Sequence, residues 1–201
     1  MGFDALSAGS RQEESGAAMT DLFLERQFDP ALTPEDVINI AMESGDCFGM
    51  HRVRWNGSFL SSDGNRMFCW FTAPDMESAR IAMRQNGVDM RVLWRGDVFE
   101  APGIPEEELA SANVLVERSF EDPVTLREIQ AIEDAGIACL QTRDVRPIRT
   151  FQSHDKKRMI CLYEAPDAES VRQAQREAGV PFDDAWAFMP VGPENIPEAT
   201  P

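Results

Sequence analysis

The stretch Phe151-Gln152-Ser153-His154-Asp155-Lys156-Lys157-Arg158-Met159-Ile160-Cys161-Leu162-Tyr163-Glu164-Ala165-Pro166-Asp167 repeats, with changes, the earlier Phe59-Leu60-Ser61-Ser62-Asp63-Gly64-Asn65-Arg66-Met67-Phe68-Cys69-Trp70-Phe71-Thr72-Ala73-Pro74-Asp75. Cys69 and Cys161, Gly87 and Gly179, and Trp94 and Trp186 are each 92 positions apart, so the two copies align without a gap. A constant offset over such a span marks a tandem duplication. Within the stretch, Met67, Cys69 and Phe71 alternate with Arg66, Phe68 and Trp70, the period of a strand, and Met159, Cys161 and Tyr163 repeat the first set. The turn Asp63-Gly64-Asn65, Asp155-Lys156-Lys157 in the second copy, joins this strand to a preceding one expected over 48–61.

Working outward, Pro74-Asp75-Met76-Glu77 and Pro166-Asp167-Ala168-Glu169 open a helix with proline and acids, and Gly87 and Gly179 close it. A final strand holds Trp94 and Trp186. Upstream, Thr33-Pro34-Glu35-Asp36 and the capping box Thr125-Leu126-Arg127-Glu128 each start a helix whose stripe carries Val37 and Ile40, or Ile129 and Ile132. Gly45 and Gly136 are expected near the ends of these helices. Strand one runs over 22–28 and 114–120, with Leu22, Leu24, Arg26 and Phe28 on one face and Phe23, Glu25 and Gln27 on the other.

Each copy therefore reads βαββαβ, the ferredoxin-like unit. A sheet with helices on one face leaves its other face to be covered, and two tandem copies can cover each other. The expected fold is α+β: two tandem ferredoxin-like repeats forming a pseudo-dimeric α/β barrel, as a monomer with an internal pseudo-dimer or a homodimer of it. The expected divisions are a disordered N-terminal arm over 1–18, repeat one over 21–99, a linker over 100–112, repeat two over 113–191 and an irregular tail over 192–201. Met19-Thr20-Asp21 is a candidate start of the folded protein. A cavity between the sheets is expected to carry Met, Cys and aromatic side chains with a few polar groups, which suits a small ligand.

Thirty-five acidic against 19 basic residues give a net charge of -16, which repels phosphate backbones and anionic lipid and argues against nucleic-acid and membrane partners. No apolar run approaches the roughly 18 residues of a membrane span. The spacing of Cys47, Cys69, Cys139 and Cys161 follows only the repeat, and no export signal precedes them, so free, mostly buried thiols in the cytoplasm are expected.

Charges kept in both copies are the first candidates for a site: Glu25 and Glu117, Arg26 and Arg118, Arg54 and Arg146, Asp63 and Asp155, Arg66 and Arg158. Paired salt bridges at strand ends account for them structurally. Arginines facing a cavity would suit a carboxylate or other small anion, and a Glu beside them could serve as a base toward an enolisable substrate. Differences between the copies direct attention to the second-copy turn, where His154 replaces Ser62 and Lys156, Lys157 and Arg158 gather.

The strand-one Glu-Arg, the Ser-x-Asp turn, the Cys-aromatic strand, Ala-Pro-Asp-x-Glu and the closing Gly-Val resemble the bacterial domain-of-unknown-function family numbered 4242, over 23–98 and 115–191. That family includes nickel-responsive, nickel-binding proteins of actinobacteria, and the resemblance implies a ferredoxin-like α/β barrel, normally dimeric. Its nickel-binding members use histidines. This chain has only His51 and His154, with Gln27-Phe28 and Ser119-Phe120 at the histidine-rich part of strand one. A transition-metal site, for nickel or a similar ion, would draw on His154, Asp155 and Cys161. Three functions follow: a small-ligand or ion-binding barrel, which leads; a cofactor-independent enzyme of isomerase or oxygenase type; and metal binding. The candidate ligand-binding residues are Glu25, Arg26, Arg54, Glu117, Arg118, Arg146, His154 and Asp155.

Overall fold

The computed structural model describes residues 18–197. All but Ala18 of the expected arm, and positions 198–201 of the tail, lie outside the described residues. Repeat one runs β1 (Thr20–Gln27), α1 (Pro34–Met50), β2 (Arg54–Ser61), β3 (Arg66–Ala73), α2 (Met76–Gln85) and β4 (Val92–Glu100). Repeat two runs β5 (Val114–Ser119), α3 (Leu126–Ala135), α4 (Ile137–Gln141), β6 (Arg146–Ser153), β7 (Arg158–Glu164), α5 (Ala168–Ala178) and β8 (Asp184–Val191). Between the repeats a 3-10 turn covers Glu106–Ser111, and a second follows β8 at Pro193–Asn195.

The helix starts follow from their caps. Thr33 and Asp36 close a capping box on α1, as Thr125 and Glu128 do on α3, and Asp75 and Asp167 cap α2 and α5 by accepting from the N–H of Ser78 and Ser170, both at 2.7 Å. Two boundaries differ from expectation. Helix α1 continues to Met50, so Gly45 is mid-helix and Phe48 is helical rather than the start of a strand; Gly136 separates α3 from α4. Glycine inside a helix costs only about 1 kcal/mol relative to alanine. Packing of Phe48 against Phe71, with ring centroids 5.7 Å apart, favours continuing the turn.

The eight strands pair antiparallel in the order β1-β3-β2-β8-β5-β7-β6-β4, and β4 pairs back on β1, closing the sheet. The seams between repeats are β2 with β8 and β4 with β6. At the second seam a Cβ on Gly96 would stand 2.0 Å from the Gln152 carbonyl oxygen, so only glycine lets the strands approach there.

Alternation sends the residues of each strand to two buried faces. Phe23, Phe68, Trp70, Leu115, Phe151, Ile160, Trp186 and Phe188 meet in one cluster drawn from both repeats. Its rings interlock, Phe151 lying 5.1 Å from Phe23 and 5.2 Å from Phe68, and Phe59 lying 5.0 Å from Phe188. The opposite faces pack under the helices of their own repeat, Leu24, Met67, Cys69 and Phe71 in one cluster and Val116, Met159, Cys161 and Tyr163 in the other. The expected Met-Cys-aromatic lining between the sheets is therefore corrected: that face lies against the helices, and the space between repeats is filled with rings. Period-two alternation separates the faces of a strand but does not say which is inward when both are apolar.

Candidate functional site

The repeated charges divide between two places. At one end of the closed sheet, the Trp94 indole N–H donates to Glu25 at 2.8 Å, and Arg158 of repeat two donates to both oxygens of Glu25 at 2.7 and 2.6 Å. The mirrored group has the Trp186 N–H donating to Glu117 at 2.6 Å, with Arg66 of repeat one 3.7 Å away and bound to Asp184 at 2.7 Å. Burial pushes the Glu117 carboxyl above its ordinary range; Trp186 and Arg66 oppose the shift, and Glu25 and Asp184 add to it. A cavity of about 280 Å³ lies beside these groups. Both glutamates are engaged by the opposite repeat, so this end fastens repeat to repeat.

The second-copy turn is a structural device. Asp155 accepts from the Ser153 hydroxyl at 2.6 Å and the Lys157 N–H at 3.0 Å, and Asp63 accepts in the same way from Ser61 and Asn65. These bonds hold both aspartates below the ordinary carboxyl range. His154 sits 3.4 Å from Asp97. Cys161 is buried on the helix side of β7, where its sulfur accepts from the Thr150 hydroxyl at 3.5 Å. His154, Asp155 and Cys161 are not brought together, and among the described residues no three His, Cys, Asp or Glu side chains group as a metal would require. The donor set does not fit a bound transition metal. All four cysteines are free.

The remaining arginines mark the seams between sheet and helices, where the repeats part company. In repeat two, Arg118 is fully buried; its Nη2 donates to Gln175 at 2.9 Å, to the Tyr163 hydroxyl at 3.1 Å and to Glu133 at 3.3 Å, and Tyr163 donates to Glu133. Arg146, at the far end of the same face, binds Glu164 and Glu108. In repeat one the corresponding arginines are Arg26 and Arg54. Ala41 stands at the position of Glu133, Phe71 at Tyr163, Met83 at Gln175 and Thr72 at Glu164.

The result is a cavity of about 300 Å³ between α1 and the outer face of β1, β2 and β3. Val37, Ile40, Phe48, Met67, Phe71 and Ile196 provide apolar wall, and Arg26 and Arg54 are its charged residues. Arg54 reaches only the Thr72 hydroxyl, at 3.4 Å, and among the described residues no carboxylate comes within 4 Å of either guanidinium. Asp89 feels the field of Arg26 but is bound to Arg91 at 2.8 Å. Inside the cavity Ser58 accepts from the Trp55 indole at 3.0 Å and donates to Cys69 at 3.1 Å. Burial pushes the Cys69 thiol up to about 11, so it is no thiolate at neutral pH. The lining contains no Asp, Glu or His. Such a cavity can hold a molecule but offers no general base.

The equivalent seam of repeat two leaves about 190 Å³, with Glu133 and Cys161 on its wall. Of the residues expected at a site, Arg26 and Arg54 share the cavity, Glu25 and Glu117 stand at the end of the sheet, and Arg118 and Arg146 are neutralised within repeat two. Sequence reasoning missed Ala41, Ser44 and Trp55 on the wall. The signal was available at the constant offset, where two carboxylates of repeat two face Ala41 and Thr72 in repeat one.

No curated protein matches the chain. Among solved structures, SCO4226 from Streptomyces coelicolor A3(2) is 20% identical, matching 37% of this chain and 91% of its own with a TM-score of 0.33. A double mutant of chlorite dismutase from Candidatus Nitrospira defluvii is 13% identical, matching 87% of this chain and 93% of its own with a TM-score of 0.47. The putatively assigned chlorite dismutase TA0507 is 10% identical over 85% of this chain and 94% of its own, with a TM-score of 0.45. The sequence profile described as nickel responsive protein SCO4226-like matches twice, over 23–95 and 115–187, and the chain belongs to that family.

Proposed function

We propose that this protein is a small-molecule-binding member of its family, a fused pseudo-dimeric α/β barrel that carries its ligand in the helix–sheet cavity of repeat one. The observation that carries the reading is the cavity itself: about 300 Å³, mostly apolar, with two arginines and no carboxylate in its wall. It lies at the lower end of the roughly 300–1,000 Å³ of small-molecule sites and has their composition. Binding rather than catalysis is favoured because the lining lacks a base and the glutamates that could have served as one are tied to Arg158, Arg66 and the two indoles. Aromatic rings fill the centre between the repeats, and the cavity at its end, about 280 Å³, is bordered by the same tied glutamates. Four free cysteines fit the reducing cytoplasm, and no described helix is long and apolar enough to cross a membrane.

The test is titration of the purified protein with N-phenyl-1-naphthylamine, an uncharged fluorescent probe, following its emission and that of the tryptophans. Saturable binding of one probe per chain is expected, and Ala41→Trp, which places a ring in the cavity, should abolish it while leaving the circular dichroism spectrum unchanged. Probe binding that ignores the substitution in a folded variant would place the ligand elsewhere and overturn the reading.

A further inference from the structure

We infer that the cavity of repeat one takes an apolar molecule ending in a single carboxylate, with Arg26 holding the head group. The inference rests on the binding role proposed above and adds the chemical class of the ligand. It is carried by the contrast between repeats. Arg118 and Arg146 each have carboxylates of their own, Glu133 for the first and Glu164 with Glu108 for the second. Their counterparts in repeat one have Ala41 and Thr72 at the positions of Glu133 and Glu164. In a chain with 35 acidic and 19 basic residues, a cavity wall bearing two arginines and no acid is a local reversal of charge.

The Arg26 guanidinium lies over the Phe28 ring, 4.7 Å from its centroid, which leaves its N–H fork without a carboxylate partner among the described residues, and a carboxylate is the anion that such a fork fits. The substitutions that remove the partners of Arg26 also make its surroundings apolar, since Phe71 replaces Tyr163 on the wall and Met83 replaces Gln175 in the core behind it. One set of differences thus creates both ends of an amphipathic site.

Register assigns the head group to one arginine. Arg26 pairs with Met67 and Arg54 with Thr72, five residues apart on β3. At about 3.3 Å per residue their Cα positions stand some 17 Å apart along the strand. Arg26 is half-buried and its field reaches the buried Cys69 thiol, whereas Arg54 is exposed at the rim. The carboxylate therefore belongs at Arg26, with its chain running along Met67, Cys69 and Phe71 toward Trp55.

Displacement of N-phenyl-1-naphthylamine from the full chain by octanoate and by octanol tests this. Octanoate is expected to compete at least ten-fold more strongly than octanol. Arg26→Met, which keeps length and removes charge, should weaken octanoate at least ten-fold and leave octanol unchanged. Arg26→Lys should recover part of the loss, and Arg54→Met should change octanoate less than three-fold. Equal competition by acid and alcohol would overturn the carboxylate class while leaving the cavity a binding site. A dominant effect of Arg54→Met would overturn the place of the head group. Failure of the fluorescent probe itself to bind would instead remove the reading beneath both.

Discussion

Repeat one and repeat two each place an arginine beneath their helices, half-buried in the first and fully buried in the second, and they meet its charge in opposite ways. Repeat two surrounds Arg118 with Glu133, Tyr163 and Gln175. Repeat one replaces all three with apolar side chains and leaves Arg26 against a cavity of about 300 Å³. The difference teaches that a duplicated frame can hold its architecture with one copy while the other gives up internal pairing. Polar groups that satisfy one another fill space and fix geometry; when the partners are replaced by apolar side chains, the space and the charge are left behind.

The largest effect should come from breaking the filled side. Glu133→Ala leaves Arg118 buried without its carboxylate, and since the hydrogen bonds of Arg118 all run through Nη2, unfolding in urea should show a loss of about 3–5 kcal/mol. A loss below about 1 kcal/mol would mean that the network does not hold repeat two.

The reverse change should make repeat one resemble its partner. Ala41→Glu supplies Arg26 with an internal carboxylate and occupies the cavity, and octanoate affinity should fall at least ten-fold, about 1.4 kcal/mol. Isothermal titration reads this directly, and unchanged affinity would break the comparison.

Smaller still is the contrast at the rim. Arg146 pairs with Glu164 and Glu108 at exposed positions, where solvent screens ion pairs, so Arg146→Ala should lower the melting temperature far less than Glu133→Ala does. Arg54→Ala removes no ion pair among the described residues and should leave stability within about 0.5 kcal/mol. Thermal unfolding of the two variants side by side checks the ordering.

The last prediction concerns the end where the repeats fasten. Because the carboxyl of Glu117 titrates higher in the folded chain, the folded state binds more protons than the unfolded one as pH rises from about 4.3 toward the raised value. Ionised Glu117 therefore lowers stability as pH rises through that window. Glu117→Gln lacks the term, so the unfolding midpoint of the variant minus that of the wild type should increase from pH 4 to pH 7. A difference that stays flat or decreases would contradict the burial of this carboxylate.

Much of the fold is legible in the sequence. The offset of 92, the threonine caps, the strand alternation and the closing glycines mark two βαββαβ units, because these signals are local and each appears twice. Phe48, set between Gly45 and Gly49, satisfies a strand or a helix equally well by its local sequence, and only its contact with Phe71 decides. For the site, the sequence lists the repeated arginines but cannot sort them. Arg26 and Arg118 occupy equivalent strand positions, and their fates depend on residues 15 to 57 positions away that the fold brings beneath the helices.

By itself the sequence determined the duplication, the order of elements, the acidic balance and the list of repeated charges, all properties carried by neighbouring residues or by a constant spacing. Only the tertiary structure decided which face of each strand turns inward, that aromatic rings fill the space between repeats, and that Glu25 and Glu117 bind across to Arg158 and Arg66. It also decided that Arg26 and Arg54 share a mostly apolar cavity in repeat one, while His154 stands apart from Cys161 at the turn. The reason is physical: cavity volume and charge pairing are set by side chains far apart in sequence, and a substitution such as Glu133 to Ala41 shows its meaning only once the arginine above it is in place.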